Sequence, residues 1–442
     1  MMKIAFLTLG CKLNYAETST YERDFVRNGL EVVAWEEKAD IYLINTCSVT
    51  ERAEKKCRNI IRKMHRTAPE SMIVVTGCYA ELRREDLKKI EGVALVFGAK
   101  EKTKVVADTL AMLHGEPAEV SEAKDREKVG ELGMAAEYKE ISKETMAAFS
   151  SEERTRSFLK VQDGCNNFCA YCTVPYARGN SRNIAIDEVL SQARQIAAAG
   201  IKEIVITGVN TGDFGRTTGE SFLDLLKRLN DIQGIERYRI SSIEPNLITE
   251  EIIDWIASGT KFQPHFHIPL QSGSDAILKR VGRRYDTAFF ADRIEYIRSV
   301  MDPKEGEPGG NLKPFVFFGI DVIAGLPGET DELFEETYSF LKDRIHPAYI
   351  HVFPYSRRPG TTAAGWKDQV KDSVKTQRVA RLEELCSELH EQFVEKNRGR
   401  HGEVLWESDV KDGKMGGYTG NYIRIEKDYD PALVNTIENI II

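Results

Sequence analysis

The segment CNNFCAYC, residues 165–172, decides how the sequence around it folds. Three residues separate Cys165 from Cys169 and two separate Cys169 from Cys172, so one tight loop can direct three thiolates at one inorganic group. Thiolates are the usual ligands of iron–sulfur clusters, and a [4Fe-4S] cube bound by three of them keeps one iron open to a chelating molecule. The spacing therefore predicts a catalytic iron–sulfur centre.

Two simpler interpretations compete with a cluster. A structural zinc ion normally has four protein ligands, but no His or Cys follows Cys172 at the spacing of a zinc finger. Disulfides require an oxidising compartment. The sequence shows no signal peptide and no apolar run of membrane-spanning length, so we expect a cytoplasmic protein whose eight cysteines favour metal ligation.

Composition sets further limits. A chain of 442 residues is too long for one hydrophobic core and predicts several domains. Its 42% hydrophobic and 29% charged residues are ordinary for a soluble globular protein. The net charge of −8 argues against a uniformly basic nucleic-acid binder, so any RNA contact must use local patches.

One such patch is predicted over residues 51–66, where helical periodicity separates a basic face from an apolar one. The apolar face includes Cys57, which we therefore expect in the core. A solvated outer face explains the same charges without RNA. The basic positions are Arg52, Lys55, Lys56, Arg62, Lys63 and Arg66.

Residues 1–114 alternate short apolar runs with amphipathic stretches, which predicts a parallel α/β sheet. Cys11, Cys47 and Cys78 each follow a candidate strand, and parallel strands bring their carboxyl ends to one edge, where α/β sheets bind ligands. We therefore predict a second cluster there; three separate buried cysteines are the alternative. Strands are expected at 3–9, 31–34, 41–45, 72–76 and 94–97, and helices at 15–28, 51–67, 81–90 and 102–114.

The loop spacing resembles the signature of the radical S-adenosylmethionine (SAM) enzymes, in which the amino and carboxylate groups of SAM complete the cluster. The stretches TLGCKLNYAETS (8–19), NTCSVT (45–50) and TGCYA (76–80) resemble the N-terminal domain of the methylthiotransferases. The resemblance covers essentially the whole chain. It implies two [4Fe-4S] clusters and SAM as cofactors, with Cys11, Cys47 and Cys78 holding an auxiliary cluster that carries the sulfur to be inserted.

The resemblance also implies the fold class, an α/β protein with an appended β-barrel. An N-terminal parallel α/β domain is expected at 1–114, a partial (β/α)6 radical-SAM barrel at 151–366, and a small RNA-binding β-barrel called TRAM at 400–442. The charged, aromatic-poor residues 115–150 predict a linker, and residues 367–399 a connecting helix. The chain ends soon after the last turn, so we expect an abbreviated barrel.

Segments after successive barrel strands resemble parts of the family that bind SAM, in keeping with the placement of chemistry at strand ends in barrel enzymes. The acidic residue often found beside Asn210 is absent. For two of the predicted SAM contacts a structural role is the alternative. Tyr171 is then an aromatic side chain packed in the core, and Glu244 is a carboxylate that caps a loop. The cofactor-binding residues that the resemblance implies are Phe168, Tyr171, Gly208, Asn210, Ser242, Glu244, Gln271, Ser272, Asp321 and Gly325.

Two further groups are candidates for contact with RNA. The run KRVGRR, residues 279–284, concentrates positive charge that suits phosphate, although such a run is more often a solvated helix end. Small β-barrels bind single strands with aromatic and basic side chains. The predicted RNA-binding residues are Lys279, Arg280, Arg283, Arg284, Tyr418, Tyr422 and Arg424.

The surroundings of the first cysteine indicate a branch of the family. The stretches GCKLN (10–14) and AETS (16–19) resemble the branch that acts on N6-threonylcarbamoyladenosine at position 37 of tRNA. The resemblance then implies a transferase that adds a methylthio group at C2 of the adenine, using one SAM as methyl donor and another as radical source. The expected partners are the tRNA anticodon stem-loop, a sulfur donor and an electron donor such as flavodoxin or ferredoxin. We expect a monomer without membrane contact.

Three alternatives stay open. After the first cysteine, the isopentenyladenosine branch typically has a Met-Asn pair followed by Asp-Ser, and this sequence lacks that pattern. The branch that modifies a ribosomal-protein aspartate typically has Pro-Lys-Asn, which is also missing. From a different class, the chain could be a non-catalytic iron–sulfur electron carrier or RNA-binding protein.

Overall fold

The computed structural model describes residues 1–48, 50–115, 145–150, 155–304 and 312–442. They form two units, each built from several chain segments. Unit 1 comprises Met1–Ser150, Lys160–Ala185 and Ser356–Ala364, and unit 2 comprises Ser151–Leu159, Ile186–Tyr355 and Gly365–Ile442. The units therefore interleave along the chain. Most of the predicted linker lies outside the described residues, as does much of the Pro/Gly-rich stretch after residue 302.

Unit 1 contains a five-stranded parallel sheet in the order β2-β1-β3-β4-β5, which confirms the predicted α/β class. Each strand forms within two residues of the expected position. The strands are β1 (Lys3–Thr8), β2 (Glu31–Val32), β3 (Ile41–Thr46), β4 (Met72–Gly77) and β5 (Val93–Phe97).

Helices cover both faces of this sheet, and its central strand is accordingly buried at every position. Ile41 and Leu43 of β3 join the core cluster of one face, and Tyr42 and Ile44 join that of the other. The predicted helix at 81–90 is two short helices, and that at 102–114 starts with a 3-10 turn, Ala99–Lys104. The helices are α1 (Lys12–Arg27), α2 (Glu51–Thr67), α3 (Cys78–Leu82), α4 (Arg84–Lys88) and α5 (Val105–Leu113).

The remaining elements of unit 1 surround the cysteine loop. They are β6 (Ala148–Phe149), the end of β7 (Arg156–Lys160), β8 (Gln162–Asp163), α6 (Val174–Arg178) and β9 (Arg182–Asn183). Strands β8 and β9 pair antiparallel, so they close the loop at its base.

Unit 2 holds six strands that neighbour one another in chain order, as expected of the partial barrel. Hydrogen bonds from Gln263 to Tyr238 and from Ile243 to His267 join the two halves of this arrangement. The strands are β7, β10 (Glu203–Thr207), β11 (Arg237–Ile240), β12 (His265–Gln271), β13 (Phe317–Ala324) and β14 (Tyr349–Pro354). The helices are α7 (Ile186–Ala198), α8 (Phe222–Asn230), α9 (Glu250–Ala257), α10 (Asp275–Arg280), α11 (Thr287–Met301) and α12 (Asp331–Ser339).

The long helix α13 (Asp372–Asn397) leads to a four-stranded antiparallel sheet in the order β17-β16-β15-β18. Its strands are β15 (His401–Lys411), β16 (Lys414–Thr419), β17 (Arg424–Asp428) and β18 (Ile437–Ile441). Strand β18 pairs with the start of β15, so the sheet has four strands, in keeping with an abbreviated barrel. Tyr422 has a φ of +64° and lies in the turn between β16 and β17.

Buried arginines of β11 hold this C-terminal sheet within unit 2. Arg237 donates to the carbonyl oxygens of Glu403 and Tyr418, and Arg239 to those of Thr419 and Gly420. Backbone oxygens of the sheet therefore accept these four hydrogen bonds, and the carboxylate of Glu403 lies 3.6 Å from Arg237 as well. Among the described residues, no helix combines the length and apolar character needed to cross a membrane.

Ile61 tests the packing of α2 on the sheet, because it is fully buried in the cluster that also contains Cys57. We expect Ile61→Ala to cost about 2–5 kcal/mol of local stability. Hydrogen exchange measured by mass spectrometry should quicken in peptides covering α2 and β3. Asn59→Ala, on the exposed face of the same helix, should change stability by no more than about 0.5 kcal/mol. Equal exchange in the two variants would contradict this packing.

Candidate iron–sulfur and cofactor sites

The three N-terminal cysteines lie at the carboxyl ends of three adjacent parallel strands. Cys11 precedes α1 directly, Cys47 follows β3, and Cys78 is the first residue of α3 after β4. The register pairs Thr8 with Asn45 and Thr46 with Gly77, so these strand ends are level. The structure therefore places the three thiols at one edge of the sheet.

Glycines at this edge permit close approach of the three loops. Gly10 has a φ of +121°, and a Cβ built on it would lie 2.9 Å from Cβ of Cys47. Gly77 has a φ of +103°, and a Cβ there would lie 2.3 Å from the carbonyl oxygen of Thr46. Residues with side chains rarely adopt such φ values, so both positions require glycine.

Asn14 fixes the loop that carries Cys11. Its amide donates to the carbonyl oxygens of Leu9 (2.9 Å) and Thr46 (3.1 Å), and the Cys11 thiol donates to its Oδ1 at 3.6 Å. Asn45 in turn donates to the backbone oxygen of Asn14. Sequence reasoning assigned no role to these amides, although buried Asn at strand ends was a usable signal.

The loop at residues 165–172 suits thiolate ligands. All eight cysteines are described and none forms a disulfide. The backbone N–H of Asn167 donates to Sγ of Cys165, and that of Val174 to Sγ of Cys172, each at 3.4 Å. Cys169 is buried and the other two are half-buried. Such donors stabilise anionic sulfur, so the residues present fit an iron–sulfur cluster.

Aromatic rings line this loop. Phe168 has a φ of +48° and is 41% exposed, and its ring meets Tyr176 edge-on with centroids 5.8 Å apart. Burial, and secondarily the charge of Cys172, raises the pKa of Tyr176. Tyr171 is half-buried. The role of Phe168 and Tyr171 beside SAM stays a prediction.

A buried ionic group links the cysteine loop to the N-terminal sheet within unit 1, and sequence reasoning missed it. Glu17 of α1 accepts hydrogen bonds from Lys102 (2.8 Å), Lys160 (2.8 Å) and Arg178 (3.2 Å). Burial raises the pKa of Glu17, but these three cations outweigh burial and hold the pKa well below its usual range. Asp163 also accepts from Arg178, at 3.0 Å. Glu17 is therefore charged at neutral pH.

A second buried pair lies beside Cys47. Arg358 donates to the hydroxyl of Ser48 at 3.0 Å and to the carboxylate of Glu54. Ser48 also donates to Glu54 at 2.5 Å. The pair thus ties the residue after Cys47 to α2.

The residues predicted to bind SAM in unit 2 lie at or just beyond the carboxyl ends of four successive strands. Gly208 and Asn210 follow β10, Ser242 and Glu244 follow β11, Gln271 and Ser272 end β12, and Asp321 and Gly325 belong to the end of β13. Two contacts join neighbouring loops. Asn210 Oδ1 accepts the N–H of Glu244 at 3.4 Å, and the Ser242 carbonyl accepts the N–H of Thr211 at 3.4 Å.

Asp321 belongs to a polar group on three adjacent strands. Its carboxylate lies 2.6 Å from Nε2 of His267, whose ring stacks on that of His351 with centroids 4.6 Å apart. The ligand atoms of these three side chains all lie within 4.8 Å of one another. Gly319 between them carries no side chain, which leaves room for the two rings.

The basic run at 279–284 is not one exposed patch. Arg283 is largely buried and pairs with Glu244, while Arg280 pairs with Asp368 and covers the ring of Trp366. Burial raises the pKa of Glu244, although Arg283 acts in the opposite direction. Lys279 and Arg284 are exposed.

The two predicted RNA-binding tyrosines lie in an internal ring cluster of unit 2. Tyr422 stacks on Tyr418, with centroids 4.8 Å apart, and contacts the rings of His265 and Phe317. Arg156 lies over both tyrosine rings. Arg424 is exposed and pairs with Glu426 at 3.0 Å. The contacts of Tyr422 serve internal packing, so it is a poor candidate for base stacking.

Two protein-family models match separate parts of this chain. Residues 3–98 match the uncharacterized protein family UPF0004, and residues 159–341 match the radical SAM superfamily. The chain is 39% identical over 431 residues to the threonylcarbamoyladenosine tRNA methylthiotransferase MtaB of Bacillus subtilis, covering 96% of this chain and 90% of that protein. The corresponding Aquifex aeolicus protein is 36% identical over 427 residues, covering 97% of each.

The chain belongs to the radical SAM methylthiotransferase family. A tRNA-2-methylthio-N(6)-dimethylallyladenosine synthase of Wolinella succinogenes is 32% identical over 418 residues, covering 93% of this chain and 89% of that protein. The radical SAM methyltransferase TsrM of Kitasatospora setae has a TM-score of 0.57 at 13% identity, covering 82% of this chain and 75% of that one. That likeness concerns the fold alone.

Membership establishes the reaction class and the cofactors of this methylthiotransferase. It is an enzyme that transfers sulfur-containing groups, and it uses SAM and iron–sulfur clusters. Six of its eight cysteines belong to the two predicted triads. The other two, Cys57 and Cys386, are buried, and the thiol of Cys57 donates to the backbone oxygen of Cys47 at 3.9 Å.

Alkylation of this methylthiotransferase after removal of iron should separate the exposed ligand Cys11 from the core thiol Cys57. Burial raises the pKa of Cys57 to about 11, so only about 0.1% would be thiolate at pH 8 even without steric protection. Cys11 is exposed. Mass spectrometry after brief iodoacetamide treatment should find Cys11 modified and Cys57 intact. Equal modification in folded protein would show that Cys57 is not in the core.

Proposed function

We propose that this methylthiotransferase converts N6-threonylcarbamoyladenosine at position 37 of tRNA to its 2-methylthio derivative. The observation that carries the proposal is the full-length similarity to relatives named for this substrate, combined with two separate thiol triads in the chain. The residues after Cys11 support the same branch. Chemistry at an unactivated C–H bond requires a radical source, which explains why no acid–base pair is needed.

The residues of the cysteine loop would hold the radical-generating cluster. Cys165, Cys169 and Cys172 are its protein ligands, and the N–H groups of Asn167 and Val174 favour the anionic state of two of these sulfurs. When bound, the cluster and SAM supply one-electron cleavage of SAM and a carbon radical. The chain's own part is to orient SAM and exclude water, and the loops after β10, β11, β12 and β13 are the proposed contacts.

The edge of the N-terminal sheet would hold the auxiliary cluster through Cys11, Cys47 and Cys78. Rigid strand ends, close-packed glycines and the Asn14 amide keep these ligands at fixed positions. This rigidity suits a sulfur carrier, because the sulfur must be presented to one carbon atom of the substrate.

The proposed partners follow from this chemistry. tRNA is the substrate, and exposed basic side chains of α2, with Lys279, Arg284 and Arg424, are the candidate phosphate contacts. We also propose the TRAM identity of the C-terminal sheet, an electron donor of the flavodoxin or ferredoxin type, a sulfur donor, a monomeric state and a cytoplasmic location.

The second candidate substrate is tRNA carrying N6-isopentenyladenosine, because relatives named for the dimethylallyl nucleoside are 32% and 31% identical to this chain. Anaerobic incubation with each modified tRNA, followed by nucleoside mass spectrometry, separates the two. We expect methylthio product only from threonylcarbamoyladenosine. Product only from isopentenyladenosine would overturn the proposal, and no SAM turnover with either would favour a non-catalytic iron–sulfur protein.

Cys169→Ala should abolish release of 5′-deoxyadenosine, because the loop then lacks one ligand of the cluster that binds SAM. The measurement is chromatographic detection of deoxyadenosine after anaerobic reduction with SAM. Cys386→Ala, which removes a buried thiol outside both triads, should retain release. Normal release from Cys169→Ala would refute the assignment of this loop.

Cys47→Ala should separate cleavage of SAM from methylthiolation of the nucleoside. Its loop at 165–172 is intact, so deoxyadenosine should still form, whereas methylthiolated nucleoside should fall below detection. Cys386→Ala is the control, because Cys386 is a buried thiol outside both triads, whereas Cys57 contacts the backbone of Cys47. Methylthio product at the wild-type level from Cys47→Ala would show that the auxiliary ligands are misassigned.

A further inference from the structure

The buried ionic group around Glu17 contains more positive than negative charge. It joins the cations Lys102, Lys160, Arg178 and Arg182 to the carboxylates Glu17 and Asp163, all with side chains no more than 10% exposed. Four cations and two carboxylates leave a formal excess of two positive charges. The adjacent pair Arg84–Glu101 is neutral and does not alter this balance.

An uncompensated buried charge is costly, because removal from water is not repaid by a partner. Burial, and then repulsion by Arg178, lowers the pKa of Lys102. Over the residues that the structure describes, the four cations therefore favour a further anionic group close by.

Arg178 shows where that anionic group lies. Its guanidinium donates to Asn14 Oδ1 at 2.6 Å, and the same oxygen accepts the thiol of Cys11. Helix α6, which ends at Arg178, packs on α3, which begins at Cys78. Burial lowers the pKa of Arg178, but Cys78 and then Asp163, Glu17 and Cys11 outweigh burial and raise it. Asn14 thus connects the guanidinium to Cys11, and the helix of Arg178 packs on the helix that begins at Cys78.

We propose that Arg178 is a positioning residue that supplies the counter-charge of an anionic cluster held by Cys11, Cys47 and Cys78 and thereby raises its reduction potential. The proposal rests on the proposed function, which places a cluster at these ligands. Reduction adds negative charge, so a fixed cation beside the ligands stabilises the reduced form. Net charge and hydrogen bonding near the sulfurs are among the factors that set cluster potentials. A guanidinium at hydrogen-bonding distance from Asn14 also keeps the Cys11 loop in place.

The test compares three variants of the full-length, iron-loaded protein under anaerobic conditions. Arg178→Gln removes the charge with little change of shape, and Arg178→Lys retains it. Arg23→Gln is the control, because Arg23 is another partly buried arginine of unit 1, and its acceptors include the hydroxyl of Thr20 and the carbonyl oxygen of Phe149. Iron content and an electron paramagnetic resonance redox titration are measured for each. Addition of SAM identifies the signal of the Cys165 loop, and the signal that SAM does not alter belongs to the auxiliary cluster.

Arg178→Gln should weaken reduction of the auxiliary cluster by about tenfold or more, which is a fall of about 59 mV for a one-electron couple. Arg178→Lys should restore most of this loss, and Arg23→Gln should match the wild type. Loss of auxiliary iron from the Gln variant alone would also support a charge role, because the Lys variant keeps the cluster.

Two results would overturn the proposal. One is an unchanged auxiliary potential in Arg178→Gln, and the other is equal loss of auxiliary iron from the Gln and Lys variants, which would show a purely structural role. A wild-type protein that carries only the SAM-responsive cluster would instead refute the proposed function, and this inference with it.

Discussion

Parallel pairing of β1, β3 and β4 is the constraint on which the auxiliary site depends. Parallel strands end at a common edge, so thiols from three distant parts of the sequence become neighbours without any loop reaching across the sheet. Both faces of β3 are buried, and a slip of one residue would exchange the side chains of the two cores. Hydrophobic packing therefore determines the register of the strands, and the register determines where the three cysteines lie.

Local patterns in the sequence were sufficient to predict most of the helices and strands and to place three cysteines at strand ends. The apolar run of β3 and the periodicity of α2 predicted those elements and the burial of Cys57, because burial of local apolar side chains forms them. What sequence could not reveal were pairings between distant residues. Glu17 and Lys160 are 143 positions apart, and Glu244 and Arg283 are 39 apart, so no local periodicity in the sequence predicts that they pair. The contacts of Tyr422 with His265 and Phe317 could not be predicted either, because these partners come from β12 and β13.

The buried ionic group shows how this chain uses charge in its interior. Ion pairs away from water add little net stability, but they tolerate few alternative arrangements. The group connects the segment after Cys172 to α1 and to the 3-10 turn Ala99–Lys104. Both thiol sites therefore belong to one structural unit. Specific geometry, more than stability, is what two metal sites on separate chain segments require.

The anchoring of the C-terminal sheet has an evolutionary consequence. Arg237 and Arg239 bind carbonyl oxygens, which every amino acid provides, so these four hydrogen bonds do not depend on which side chains β15 and β16 carry. The side chains of Glu403 and Glu407 add ion pairs to Arg237 and Arg156. This part of the attachment thus constrains the backbone of the sheet more than its composition, which leaves its outward side chains free to diverge.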